Sequence, residues 1–122
     1  MIIGDTILAS VPPGGADTRT TSVRTPWIAS WGTSAVLSYE ITAIGSTGDP
    51  AELVARVQTK NTEDADPSTF IATDTTRTAT GTYSLPVSNS VMELVRMQFD
   101  LTATLCTAFA TFRALNPSWQ TN

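Results

Sequence analysis

The side chains that usually carry reactions are scarce in this chain of 122 residues. It has no histidine and one cysteine, Cys106. Without imidazole there is no Ser-His-Asp triad, no Cys-His pair and no histidine-ligated metal. Cys106 lies in an apolar stretch with no base to activate it, so it reads as a small buried hydrophobe. Carboxylate pairs of the kind that hydrolyse glycosides remain conceivable. Glu40, Glu52, Glu93 and Asp100 fall at polar strand positions, where each is more simply a solvated charge or a cross-strand partner of Arg56, Arg96 or Arg113. Gly14-Gly15 and Gly45 to Gly48 lack the spacing and the following helix of a phosphate loop. The reading is therefore of no enzyme, no catalytic residue and no cofactor.

Two groups of residues could bind rather than react. The run Asn61-Thr62-Glu63-Asp64-Ala65-Asp66 offers oxygens to a hard cation, but it lacks the glycine and the closing glutamate of an EF-hand loop. It is expected to be an exposed acidic turn, with Glu63, Asp64 and Asp66 the ligands if calcium bound; no metal is expected. Trp27 and Trp31 are four residues apart, on one face if the segment is a strand, and could line a sugar-binding groove. As core or interface anchors they need no ligand.

The elements that position these residues are strands. Charged residues make up 15% of the chain and apolar ones 41%. Threonine is abundant, and its β-branched, half-polar side chain suits a pleated surface. Ala35, Leu37, Tyr39, Ile41 and Ala43 alternate with polar residues. So do Leu53, Ala55 and Val57, and Ala79, Gly81, Tyr83 and Leu85. The longest row is Val95, Met97, Phe99, Leu101, Ala103 and Leu105. A period of two is that of a half-buried strand and is incompatible with a helix face. Leu37, Tyr39, Ile41, Leu53, Val57, Met97, Phe99 and Leu101 should form the core. Turn clusters at Gly45–Pro50, Pro86–Ser90 and Asn116-Pro117 punctuate the rows. The pattern predicts an all-β chain of about 7–8 antiparallel strands, a single β-sandwich or jelly-roll-like domain over residues 26–122.

Residues 1–25 read differently. Ile7, Ala9 and Val11 form a weak strand, which Pro12-Pro13-Gly14-Gly15 interrupts. The segment is expected to be an extended N-terminal arm. Its apolar residues Ile2, Ile3, Ile7, Leu8 and Val11 would contact a neighbouring subunit, with Ile7 to Val11 added as a strand there. Trp119, beyond the last strand, must dock on the domain or on another subunit.

Charge and composition narrow the partners. The net charge of −4 and the single lysine, Lys60, argue against direct binding of nucleic acid. No basic leader followed by an apolar run opens the sequence, and no apolar stretch is long enough for a membrane span. One cysteine forms no internal disulfide, which fits synthesis in a reducing cytoplasm.

Three stretches carry a resemblance: Val57-Gln58-Thr59-Lys60-Asn61 before the acidic loop, Glu93-Leu94-Val95-Arg96 leading into Met97 to Ala103, and Phe112-Arg113-Ala114-Leu115-Asn116-Pro117-Ser118-Trp119. With the strand-turn plan, they make residues 26–119 similar in style to small β-sandwich proteins from the virions of tailed bacteriophages, capsid decoration proteins included. The resemblance implies a structural role in the virion, in many copies or as a homo-oligomer, in contact with the major capsid protein or other virion subunits. A head–tail connector or tail component, and a carbohydrate- or receptor-binding module, are the alternatives. No site residue is carried over from the resemblance.

Overall fold

Ten strands, all antiparallel to their neighbours, build two facing sheets in the computed structural model, which describes residues 3–11 and 17–120. They are β1 (Ile3–Ser10), β2 (Thr18–Arg24), β3 (Ile28–Ala29), β4 (Ser34–Ser46), β5 (Glu52–Lys60), β6 (Ala72–Thr73), β7 (Gly81–Val87), β8 (Leu94–Thr104), β9 (Thr107–Ala114) and β10 (Ser118–Gln120). No helix occurs among the described residues.

Two pairs of strands are continuations of one another. Both β2 and β3 pair with the same edge of β8, and β9 and β10 with the same edge of β4. Eight ribbons result. The first sheet runs β1, β9/β10, β4, β7, and the second β2/β3, β8, β5, β6. Numbered as ribbons, these orders are 1-8-3-6 and 2-7-4-5. Each connection β1–β2, β4–β5 and β8–β9 crosses from one sheet to the other. This is the order of a jelly roll, two Greek keys folded over a common core.

The alternating rows explain the layers. Leu37, Tyr39 and Ile41 of β4 face Leu53, Ala55 and Val57 of β5 and Val95, Met97, Phe99, Leu101 and Ala103 of β8, all buried. Phe99 sits at the centre, its ring 4.3 Å from that of Phe112 and 5.5 Å from that of Tyr39. Every residue expected in the core is buried.

The rows depart from strict alternation at two places. A bulge between Ile41 and Ala43 shifts the register of β4 against β9, so Ile44 packs against the core instead of Ala43. Leu105 leaves the β8 row altogether. It occupies the crossing to β9 with φ 54° and is exposed. Cys106 beside it is buried, as expected, but in the turn rather than in a strand; its thiol lies 3.5 Å from the Asp49 carbonyl. Pro86, expected to open a turn, falls within β7, an edge strand where a missing N–H is tolerated.

Within residues 1–25, the two described strands pair inside the sheets. Strand β1 pairs along its whole length with β9, and β2 pairs with β8 from Thr18 to Arg24. Ile7 and Ala9 belong to the core, and Val23 packs against it. Weak alternation in β1 was enough because β9 supplies a full ladder of partners, and burying two apolar side chains favours keeping the strand at home. Ile2 and the interrupting stretch Pro12 to Gly15 lie outside the described residues.

Candidate functional site

The outer faces of the sheets decide what the domain presents, and their polar side chains are largely bonded to one another. On the second sheet, the outward residues of β8 are Arg96, Gln98 and Asp100, each nearly buried by its neighbours on β2 and β5. Asp100 accepts hydrogen bonds from Ser22 (2.6 Å), Gln98 (2.8 Å) and Arg56 (2.8 Å). Burial pushes its carboxyl up, but these bonds outweigh the effect and hold it below the ordinary aspartate range. Gln98 in turn accepts from Arg24, and Gln58 from Arg96, both at 2.8 Å. The loop after β5 folds over this ladder, and Gln58 donates to the Pro67 carbonyl at 3.0 Å.

The acidic loop curls around a protein cation. The Lys60 ammonium lies 3.1 Å from the Asp66 carboxylate and donates to the Asp64 carbonyl at 3.0 Å, while Arg96 reaches Asp66 at 3.4 Å. The hydrogen bond from Lys60 holds the Asp66 carboxyl below its usual range, with the charges of Lys60 and Arg96 adding to it. Asp64 spends its own carboxylate on the Asn61 N–H. Glu63 is exposed in the same turn. Among the described residues no cluster of three or more acidic, cysteine or histidine side chains is spaced to hold a metal.

The tryptophans differ in their surroundings. Trp27 precedes β3 and is half-buried, with the Arg96 guanidinium 4.2 Å and the Lys60 ammonium 5.2 Å from its ring centre. Trp31 lies in the bend after β3, 78% exposed. The strand between them, β3, is two residues long with Ile28 packed against the core, so neither tryptophan lies within it.

The other carboxylates are placed as follows. Glu40 is ion-paired with Arg113, and Glu93 accepts the Thr62 N–H at 2.9 Å. Glu52 is exposed at the start of β5. A crevice of about 20 Å³ opens between the sheets beside Ile28, Val95, Met97, Leu115 and Pro117. Its volume suits one water molecule.

A partly buried trio escaped the sequence reading. Tyr39 donates to Asp74, whose carboxylate also accepts from Arg77 at 3.2 and 3.3 Å, and Arg77 stacks over the Tyr83 ring at 4.2 Å. Burial and the neighbouring Asp74 push the Tyr39 phenol far above its ordinary value. Burial also pushes the Asp74 carboxyl up, but hydrogen bonds from Tyr39 and Arg77 overcome it and lower it. The spacing Asp74…Arg77 is visible in sequence; its junction with Tyr39, 35 residues away, is not.

The expected assembly contacts separate by face. Ile7 is buried, Val11 is half-buried with its N–H on the Cys106 carbonyl, and Ile3 stands opposite Ala114 in the β1–β9 ladder. Trp119, in β10 opposite Ala35, packs against the domain's own core. Leu8 alone of these points outward among the described side chains, 60% exposed. It stands opposite Phe109 of β9, itself 42% exposed. On the far side of Phe109 is Gly45 of β4, where a Cβ would come within 2.8 Å of the ring, so the absent side chain is what lets Phe109 lie across β4. Around them this face carries hydroxyl pairs such as Thr6–Thr111, Ser10–Thr107 and Ser38–Ser84, and farther along it the ion pair Glu40–Arg113.

No protein-family model, curated protein or solved structure matches the chain.

Proposed function

We propose that this chain is a non-enzymatic structural protein of a tailed-phage particle, a capsid decoration protein that stabilises the shell by packing on the major capsid protein. The observation that carries the reading is the apolar spot formed by Leu8 and Phe109 on an outer sheet face, flanked on both sides by the paired hydroxyls Thr6–Thr111 and Ser10–Thr107. Exposed apolar area flanked by neutral polar groups is the composition of a contact surface rather than of a solvated one. The jelly-roll order adds support, since capsid domains are among those built on it, although fold alone does not decide function. Ion-paired or hydrogen-bonded Glu40, Glu93 and Asp100 and a water-sized crevice give little purchase to a substrate.

The test is to express the tagged chain together with the particle-forming proteins of its own genome and to purify the particles. Decoration predicts that the chain co-purifies in proportion to the capsid subunits, and that Phe109→Asp abolishes this while leaving the fold intact. A chain present only as one ring per particle would be a connector or tail component. A chain absent from particles overturns the reading.

A further inference from the structure

Among the described residues no strand pairs with the outer edge of β1, and its main-chain groups show a pattern of open and closed positions. Ile3, Asp5, Ile7 and Ala9 direct their N–H and C=O groups to β9, a parity continued by the Val11 N–H on the Cys106 carbonyl. Gly4, Thr6, Leu8 and Ser10 therefore direct theirs away from the sheet. Two of these outward groups are plugged by side chains. The Thr6 N–H donates to the Asp5 carboxylate at 2.7 Å, and the Ser10 carbonyl accepts from the Arg19 guanidinium at 3.3 Å. Between the plugs lie the Thr6 carbonyl, both groups of Leu8 and the Ser10 N–H.

The other edges are defended differently. Strand β7 carries Pro86, β6 is two residues long, and β2 carries Arg19 and Arg24. From Thr6 to Ser10, β1 has neither charge nor proline.

We infer that β1 pairs edge to edge with β1 of a second copy of this chain, antiparallel about a two-fold axis at Leu8, joining two sheets into one. The register follows from the open groups. With Leu8 opposite its own copy, the two Leu8 residues exchange both main-chain hydrogen bonds, and Thr6 of each chain exchanges both with Ser10 of the other. The bond from the Thr6 N–H to the partner's Ser10 carbonyl joins the two atoms that are plugged in the single chain. The same movement brings the Asp5 carboxylate of one copy to the Arg19 guanidinium of the other, twice by symmetry. Each plug thus exchanges a main-chain bond for an ion pair of opposite charge.

Side chains agree with this register. Leu8 and Phe109 form a non-hydrogen-bonded cross-strand pair, the closer kind. Two Leu8 side chains meeting at the axis extend that pair into a row Phe109–Leu8–Leu8–Phe109 across the joined sheet. The inference stands on this edge alone and not on the particle reading, because it concerns the isolated chain in solution.

Sedimentation of the full chain at tens of micromolar should give a dimer. Leu8→Pro should give a folded monomer: the Leu8 N–H takes no part in the chain's own sheet, and proline is tolerated at an edge. Asp5→Arg and Arg19→Asp should each weaken dimerisation about tenfold or more by opposing like charges, and the double reversal should restore it to within about threefold. A full chain that stays monomeric overturns the proposal and leaves Asp5 and Arg19 as guards against pairing. So does a dimer indifferent to Leu8→Pro, or a double reversal no tighter than the single ones.

Discussion

Replacing Tyr39 by Phe removes one oxygen from a ring that is otherwise fully enclosed, and that oxygen is the donor to Asp74. The ring's contacts with Phe99 and Tyr83, both at 5.5 Å between centres, survive the change. What is lost is a hydrogen bond to a charged acceptor, worth about 1.5–3 kcal/mol. The same hydroxyl is also lost as a partner when Asp74 is changed to Ala, so the two substitutions should not add. A double-mutant cycle on Tyr39→Phe and Asp74→Ala, measured by urea unfolding, should give a coupling of about 1.5–3 kcal/mol at pH 7. The slope of the unfolding curve should stay constant, because neither change alters the surface exposed. The pH dependence has a fixed sign. The Asp74 carboxyl is lowered in the folded chain, so its contribution is fully present above the unfolded value near 4 and is lost as pH falls through the lower folded value. The coupling should therefore be equal at pH 5 and pH 7 and shrink only in stronger acid. A coupling below about 0.5 kcal/mol, or one that fades already between pH 7 and pH 5, would refute the account of this trio.

Three further outcomes are expected. Phe99→Ala should cost about 3–5 kcal/mol in chemical denaturation, since the ring is fully buried between Tyr39 and Phe112; a loss under about 1 kcal/mol would mean the centre of the core lies elsewhere. Ile7→Ala should cost about 2–5 kcal/mol, and deletion of residues 1–11 should abolish cooperative melting, because β1 closes one edge of its own sheet; a truncated chain that melts normally would restore the view of a detachable arm. Asp100→Asn should destabilise the chain at pH 7 by about 1–3 kcal/mol but matter little in strong acid, as the lowered Asp100 carboxyl stabilises the fold only above its unfolded value; an equal loss at both extremes would show that shape rather than charge holds the ladder.

The sandwich was legible in the sequence because a period of two has one physical cause, the pleat that sends alternate side chains to opposite faces. Rows such as Leu53, Ala55, Val57 and Val95 to Ala103 carry that period without a break, and they are the centre of the core. Cys106 as a buried thiol was legible for another reason, the absence of any imidazole in the chain to activate it. The absence of histidine needed no structure at all.

Where the rows were short or interrupted, local pattern and tertiary outcome parted. Strand β1 looks detachable because Ile7 and Ala9 are few, yet β9 offers them a ladder that only the fold brings within reach. Trp27 and Trp31 look alike in sequence, but one lies against Arg96 and the other stands in solvent, each beyond an end of the two-residue β3. The acidic loop reads as an exposed turn in sequence, and only the fold shows that Lys60, at the end of β5, bonds to Asp64 and Asp66 within it. Periodicity in a single chain states which side chains turn inward; it does not state which distant strand meets them. The pairing of Tyr39 with Asp74, of Leu8 with Phe109 and of Arg19 with the Ser10 carbonyl was decided by the order in which the ribbons fold over the core.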